Sequence, residues 1–66
     1  MKVIVKTSIG TVESPEWEEG FGYRRALNKK VEEVLEMMCY KRRFYFKVEE
    51  WGILLDRKTL LSIEVV

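Results

Sequence analysis

A chain of 66 residues forms one domain, near the lower size limit for a protein that folds without disulfides or metals. Its composition, 47% hydrophobic and 35% charged, is typical of a globular protein and excludes a disordered one. Twelve basic and eleven acidic residues leave a net charge of +1, so a nucleic-acid-binding role requires local segregation of charge. We therefore expect a single domain over residues 1–66.

The first predicted element is a β-hairpin. Residues 2–7, "KVIVKT", are mostly β-branched, and Val3 and Val5 share one face of the predicted strand. Gly10 suits a tight connection with positive φ, after which residues 11–13 return as a short second strand. The stretch "MKVIVKTSIGT" resembles the first strand and turn of ubiquitin-like proteins, and a hairpin followed by a helix and further strands is the β-grasp order. This resemblance implies a β-grasp-like architecture.

The segment after the hairpin has the signals of a helix start. In "SPEWEE", Ser14 suits an N-cap and Pro15 suits the first helical position, which predicts a short helical turn over residues 15–19. The two glycines of "GFG" then predict a bend over residues 20–22.

The main helix is predicted from about residue 23 to about residue 40. Apolar side chains at helical spacing form a core-facing stripe, which comprises Leu27, Val31, Val34, Leu35 and Met38. A helix that begins at Tyr23 carries Arg24 and Arg25 in its first turn, where the helix dipole disfavours positive charge.

From Arg42 onward the periodicity changes to two, which predicts three more strands. Phe44 and Phe46 face the core in the first of them, and "WGILL" and "TLLSIEVV" form the others, joined by a turn that begins at Asp56. The chain is therefore predicted to be an α+β fold of order β(β)αβββ, a single-layer sheet of four or five strands with one helix packed across it. The predicted core comprises Val3, Val5, Leu27, Val31, Leu35, Phe44, Phe46, Ile63 and Val65.

The residue inventory excludes the common catalytic arrangements. The chain has no histidine and one cysteine, Cys39, so it contains neither a Cys–His nucleophile nor the ligands of a structural zinc site. The glycines lack the spacing of a phosphate-binding loop, and the glutamates lack the alternating pattern of a calcium loop. We therefore expect no enzyme activity, cofactor or metal. "MKVIVK" lacks an export signal and no apolar run is long enough for a membrane span, so the cytoplasm is the expected location.

Function is therefore expected at surfaces, and the first candidate is the acidic aromatic segment "ESPEWEEGFGY", residues 13–23. The leading interpretation is a non-catalytic protein-interaction module, an adaptor, regulator or inhibitor, that binds another protein or forms a homodimer. The predicted contact residues are Glu16, Trp17, Glu18, Glu19 and Phe21, with the two aromatic side chains as anchors. A structural alternative is that Trp17 and Phe21, four residues apart, cap one end of the core.

The second candidate is a basic strand face, and its interpretation is a small nucleic-acid-binding protein. An aromatic ring on a sheet can stack on bases while cations contact phosphates. The predicted contact residues are Lys41, Arg42, Arg43, Tyr45 and Lys47. The nearby Glu49 and Glu50, together with the balanced net charge, favour an ordinary solvated strand instead. A third candidate is the edge of the last strand, "SIEVV", whose only charge is Glu64.

Overall fold

The computed structural model describes residues 1–66 and contains one helix and five strands. In chain order the elements are β1 (Val3–Thr7), β2 (Gly10–Glu13), α1 (Tyr23–Met37), β3 (Arg43–Val48), β4 (Trp51–Asp56) and β5 (Leu60–Val65). The α+β class is confirmed, as are the hairpin, the main helix and the three strands that follow it, although the helix ends at Met37 and residues 38–40, predicted to be helical, form a turn. The helix is neither long enough nor apolar enough to cross a membrane.

The strands form two antiparallel sheets, which corrects the prediction of one sheet. β1 lies between β2 and β5 in a three-stranded sheet, and β3 pairs with β4 in a separate hairpin. At the β1–β5 pairing, Lys6 is opposite Ser62 but Thr7 is opposite Leu60, so Leu61 has no opposite residue. Such a bulge bends β5 and increases its twist.

The core lies between the inner faces of the two sheets and α1. Six predicted core residues are buried: Val3, Val5, Leu27, Val31, Phe46 and Ile63. Four further residues complete the buried cluster: Val34, Met38, Val48 and Leu55. Phe44 and Val65 are half-buried at its margin, whereas Leu35 is 39% exposed, so the prediction for Leu35 is wrong. It lies about 100° around the helix from Val34, at the margin of the buried stripe, and so it is only partly covered.

The predicted helical turn over residues 15–19 is absent, because its backbone groups bond elsewhere. Trp17 N–H donates to the Met1 carbonyl at 2.8 Å, and the Met1 amino group donates to the Trp17 carbonyl at 2.8 Å. The buried Ser14 Oγ accepts a hydrogen bond from Val3 N–H at 2.8 Å, so it extends the hairpin rather than capping a helix. Bonds to the N-terminal residues thus replace those of a helical turn.

The main helix begins at Tyr23, after a turn over residues 21–22. Gly22 has a φ of 74°, in the left-handed region that glycine adopts without steric cost. No side chain caps this end of α1, and its first turn contains no acidic residue. Because the helix begins at Tyr23, its first turn contains Arg24 and Arg25, whose positive charges the helix dipole disfavours. Arg24 forms an ion pair with Glu19, which neutralises one of them.

Candidate functional site

The acidic aromatic segment contacts the end of the β3–β4 hairpin where the two strands turn. Trp17 packs edge-on against Trp51 with ring centroids 6.3 Å apart, and Trp51 packs against Phe46 with centroids 6.2 Å apart. Trp17 is thereby half-buried on the core, whereas Phe21 is fully exposed. Capping of the core is confirmed for Trp17 and wrong for Phe21, because the two residues do not belong to a common helix.

Five exposed carboxylates surround this contact, and we call them the acidic end: Glu16, Glu18, Glu19, Glu49 and Glu50. Glu18, Glu19 and Glu49 line one shallow depression beside Trp17. The hydrogen bond from Arg24 lowers the pKa of Glu19. Burial raises the pKa of Tyr23, as does the 3.1 Å hydrogen bond from its hydroxyl to Glu49 Oε1. The structure thus gathers Glu16, Glu18 and Glu19 with two glutamates that were not predicted.

Five cations lie at the opposite end of the same hairpin, and we call them the basic end: Lys41, Arg42, Arg43, Arg57 and Lys58. The pairing of Arg43 with Asp56 brings the two groups of cations together, and Arg57 N–H donates to the Arg42 carbonyl at 2.8 Å. Asp56 is the only acid there. Its pKa is lowered by a hydrogen bond from Lys58 N–H and by Arg43, whose Nε lies 3.4 Å from Asp56 Oδ2.

The other two predicted nucleic-acid contacts lie apart from the basic end. Lys47 is near the acidic turn of the hairpin, and its carbonyl accepts a hydrogen bond from Lys30 Nζ at 2.6 Å. Tyr45 is exposed, but its ring lies across Gly52 so closely that a side chain at residue 52 would require the ring to move. One edge of this ring is therefore occupied by β4. Sequence reasoning missed Arg57 and Lys58 because they follow β4, and only the β3–β4 register brings them to Arg42.

An apolar groove of about 370 Å³ lies between the β1–β2 hairpin and β4, and it is the main surface that sequence reasoning missed. Its apolar lining comprises Ile9, Val12, Ile53, Leu54, Leu55 and Leu60. Ile9 is 85% exposed, Leu54 is 61% exposed and Val12 is 41% exposed. Three large apolar side chains thus surround one concave surface and remain accessible to water.

Local structure explains why these side chains are uncovered. In the β1–β2 turn, Thr7 Oγ1 donates to the Gly10 carbonyl at 2.7 Å and accepts from Ile9 N–H at 3.2 Å, which holds Ile9 at the tip. Val12 is opposite Val5 on the inner side of the sheet, but it is 41% exposed whereas Val5 is fully buried. Leu54 is opposite Tyr45 on the outer face of the hairpin, and its neighbour Leu55 enters the core.

One sequence signal for the groove exists in "GILLD". Consecutive Leu54 and Leu55 make both faces of a strand apolar, although an antiparallel hairpin usually has only one covered face. One of the two leucines therefore had to be exposed. The residues on the opposite wall of the groove, between Thr7 and Val12, are distant in sequence from β4, and their pattern did not predict a groove.

Comparisons of this chain with protein-family models, with curated proteins and with solved structures found no match. The surface chemistry of the chain therefore carries the functional conclusion.

Proposed function

We propose that this chain is a non-catalytic protein-binding module, an adaptor, regulator or inhibitor, and that the apolar groove is its principal contact. The observation that carries this proposal is the exposure of Ile9, Val12 and Leu54 around one cavity of about 370 Å³. Concave apolar surfaces of this kind are typical of binding sites, because covering them releases water from apolar area.

The energy available from the groove is large for so small a protein. Full burial of one Val, Leu or Ile side chain is worth about 1.5–3 kcal/mol. A single core in a domain of this size supplies only about 3–5 kcal/mol of net stability. Covering Ile9 and Leu54, which are 85% and 61% exposed, therefore contributes on the order of a few kcal/mol towards the cost of association, which favours a function exercised in a complex.

The acidic aromatic segment is a second contact within the same proposal. Phe21 is its anchor, because its ring is fully exposed and Glu18 and Glu19 lie three and two residues before it in the sequence. Trp17 supports the segment through Trp51 and contributes to binding indirectly. We also propose the cytoplasm as the location, which suits the exposed free thiol of Cys39. The β-grasp likeness rests on the stretch "MKVIVKTSIGT" and on element order, and it stays a prediction.

Comparative capture from the cells that express the protein tests this function. Leu54→Glu introduces a charge into the groove, and Leu61→Glu introduces the same charge at a residue that is 69% exposed and outside it. We expect one partner, identified by mass spectrometry, to be retained by the wild type and by Leu61→Glu and lost by Leu54→Glu. Equal retention by both variants would reject the groove as the contact. Light scattering on the purified chain gives its oligomeric state, which shows whether the partner is a second copy of this chain or a different protein.

A second candidate function, nucleic-acid binding, is favoured by the basic end, where five cations and one carboxylate lie at the same end of the β3–β4 hairpin. Phosphate contacts by such a cluster give an affinity that falls as salt rises. Binding to mixed-sequence RNA and single-stranded DNA, measured at low and moderate salt, tests it. An affinity weaker than ~0.1 mM near physiological salt leaves only the nonspecific range and removes this candidate.

A further inference from the structure

Two strand edges that pair with no other strand border the apolar groove. β4 pairs only with β3, and β2 pairs only with β1. Hydrogen-bonded and non-bonded positions alternate along an antiparallel pair. Because Arg57 N–H bonds to Arg42 across the β3–β4 pair, the N–H and C=O groups of Leu54 point away from β3. The bond from Ser14 N–H to Val3 likewise leaves the backbone groups of Thr11 pointing away from β1.

Leu54 and Thr11 both line the groove, so its walls combine apolar side chains with unpaired backbone donors and acceptors. An extended peptide has the matching chemistry, because its own backbone groups alternate along its two edges. The edge of β5 is less suitable for such pairing, since the bulge at Leu61 interrupts its regular register.

The charge at the groove selects the kind of peptide. Asp56 is the only charged residue of the lining, and it is already engaged by Arg43 and by the backbone of Lys58. Arg42 and Arg57 lie one position beyond the Arg43–Asp56 pair on the same two strands, and both are exposed and form no ion pair. Arg57 Nη1 donates one hydrogen bond, to the Cys39 carbonyl at 3.3 Å, and its positive charge stays unneutralised. A segment with carboxylates at one end complements this charge distribution, and a basic segment is repelled.

We propose that the groove binds an extended segment of another protein, which adds as a strand to the free edge of β4 and directs acidic residues at one of its ends towards Arg42 and Arg57. Alternate side chains of the segment enter the groove, so apolar residues occur at every second position. This inference rests on the proposed protein-binding function and specifies the element that is bound.

Peptide selection on the immobilised full chain tests the inference. A display library of random segments of about ten residues covers the length of an ordinary strand. We expect the selected peptides to alternate apolar residues and to carry Asp or Glu at one end. Binding of a selected synthetic peptide should weaken at least about tenfold, a loss of about 1.4 kcal/mol, in Leu54→Glu and should be unchanged in Leu61→Glu. Arg57→Glu should also weaken it, whereas Lys47→Glu, the same charge change away from the basic end, should not.

Backbone methylation of the selected peptide tests strand addition without altering the protein. N-methylation removes one N–H donor, so binding should be lost at alternate positions and retained at the positions between them. Tolerance of methylation at every position would overturn strand addition. Selection of no peptide, of basic peptides, or of peptides that bind Leu54→Glu normally would overturn the inference. If Leu54→Glu still lost the captured partner in that case, the protein-binding function would stand and the bound element would be a folded surface or a second copy.

Discussion

The acidic end and the apolar groove both contain large apolar side chains, but these side chains have different roles in the two regions. At the acidic end, Trp17 and Trp51 interlock with Phe46 and are partly withdrawn from water. At the groove, Ile9 and Leu54 contact little and remain exposed. Tryptophan is common at interface hot spots, but here the two tryptophans support the fold, whereas the aliphatic side chains of Ile9 and Leu54 are exposed to a partner.

The largest expected effect separates Trp17 from Phe21. Trp17→Ala removes a half-buried ring from Trp51 and from the core, and we expect the free energy of unfolding to fall by about 2–3 kcal/mol, less than for a fully buried tryptophan. Phe21→Ala is the matched control, and its effect should stay within about 0.5 kcal/mol because the ring is exposed. Urea unfolding followed by circular dichroism measures both. Equal losses would show that the two aromatic residues share a structural role.

A second, smaller effect concerns the face that Tyr45 shares with Leu54. Gly52→Ala places a methyl group where the Tyr45 ring lies, so the ring must move off β4. We expect a destabilisation of about 1 kcal/mol, which a prior Tyr45→Ser substitution should largely remove through coupling of neighbouring residues. The double-mutant cycle, measured by thermal unfolding, checks this. Additive effects would mean that the position of the Tyr45 ring does not depend on the absence of a side chain at residue 52.

The start of α1 offers a stabilising substitution. Arg25→Glu places a negative charge in the uncapped first turn and within one helical turn of Lys29, so we expect stability to increase by about 0.3–1 kcal/mol. Lys29→Glu makes the same charge change one turn later, where Glu32 and Glu33 repel it, and should not stabilise. The increase for Arg25→Glu should shrink in high salt, since the interaction is exposed. A salt-independent gain would point to a different cause.

The smallest effect is a pH dependence at the basic end. The pKa of Asp56 is lowered from its ordinary value of 3.8, first by the Lys58 N–H and then by Arg43. A carboxylate with a lower pKa in the folded state contributes stability above its unfolded pKa, and this contribution is lost as pH falls through the folded pKa. Unfolding midpoints of wild type and Asp56→Asn should therefore converge as the pH falls below that ordinary value. A constant difference between them across this range would contradict the assignment.

Several features of the fold were predictable from short-range pattern. The period of two after Arg42 located β3, β4 and β5, and the helical stripe located α1. The split into two sheets was not predictable, because it depends on which strands pair over long distances in sequence. The helical turn predicted after Ser14 was wrong for a related reason, since bonds from Trp17 to Met1 overrode a favourable local start.

The candidate site was less predictable than the fold. The order of the charged residues separates an acidic segment from a basic one, but only the β3–β4 register shows that Arg57 and Lys58 join Arg42. The groove forms where the β1–β2 turn approaches β4, and no local pattern encodes that approach. A surface made from two sheets becomes visible only when their relative placement is known.

Photo-cross-linking most directly tests the claim that the groove, rather than the acidic aromatic segment, is the principal contact. A photoreactive phenylalanine analogue replaces Ile9 in one variant, Phe21 in a second and Leu61 in a third, and each is irradiated in the cells that express the protein. All three side chains are exposed, so accessibility alone does not distinguish them. We predict a discrete covalent adduct with one partner from position 9, a weaker adduct with the same partner from position 21, and none from position 61. An adduct from position 21 without one from position 9 would contradict the account.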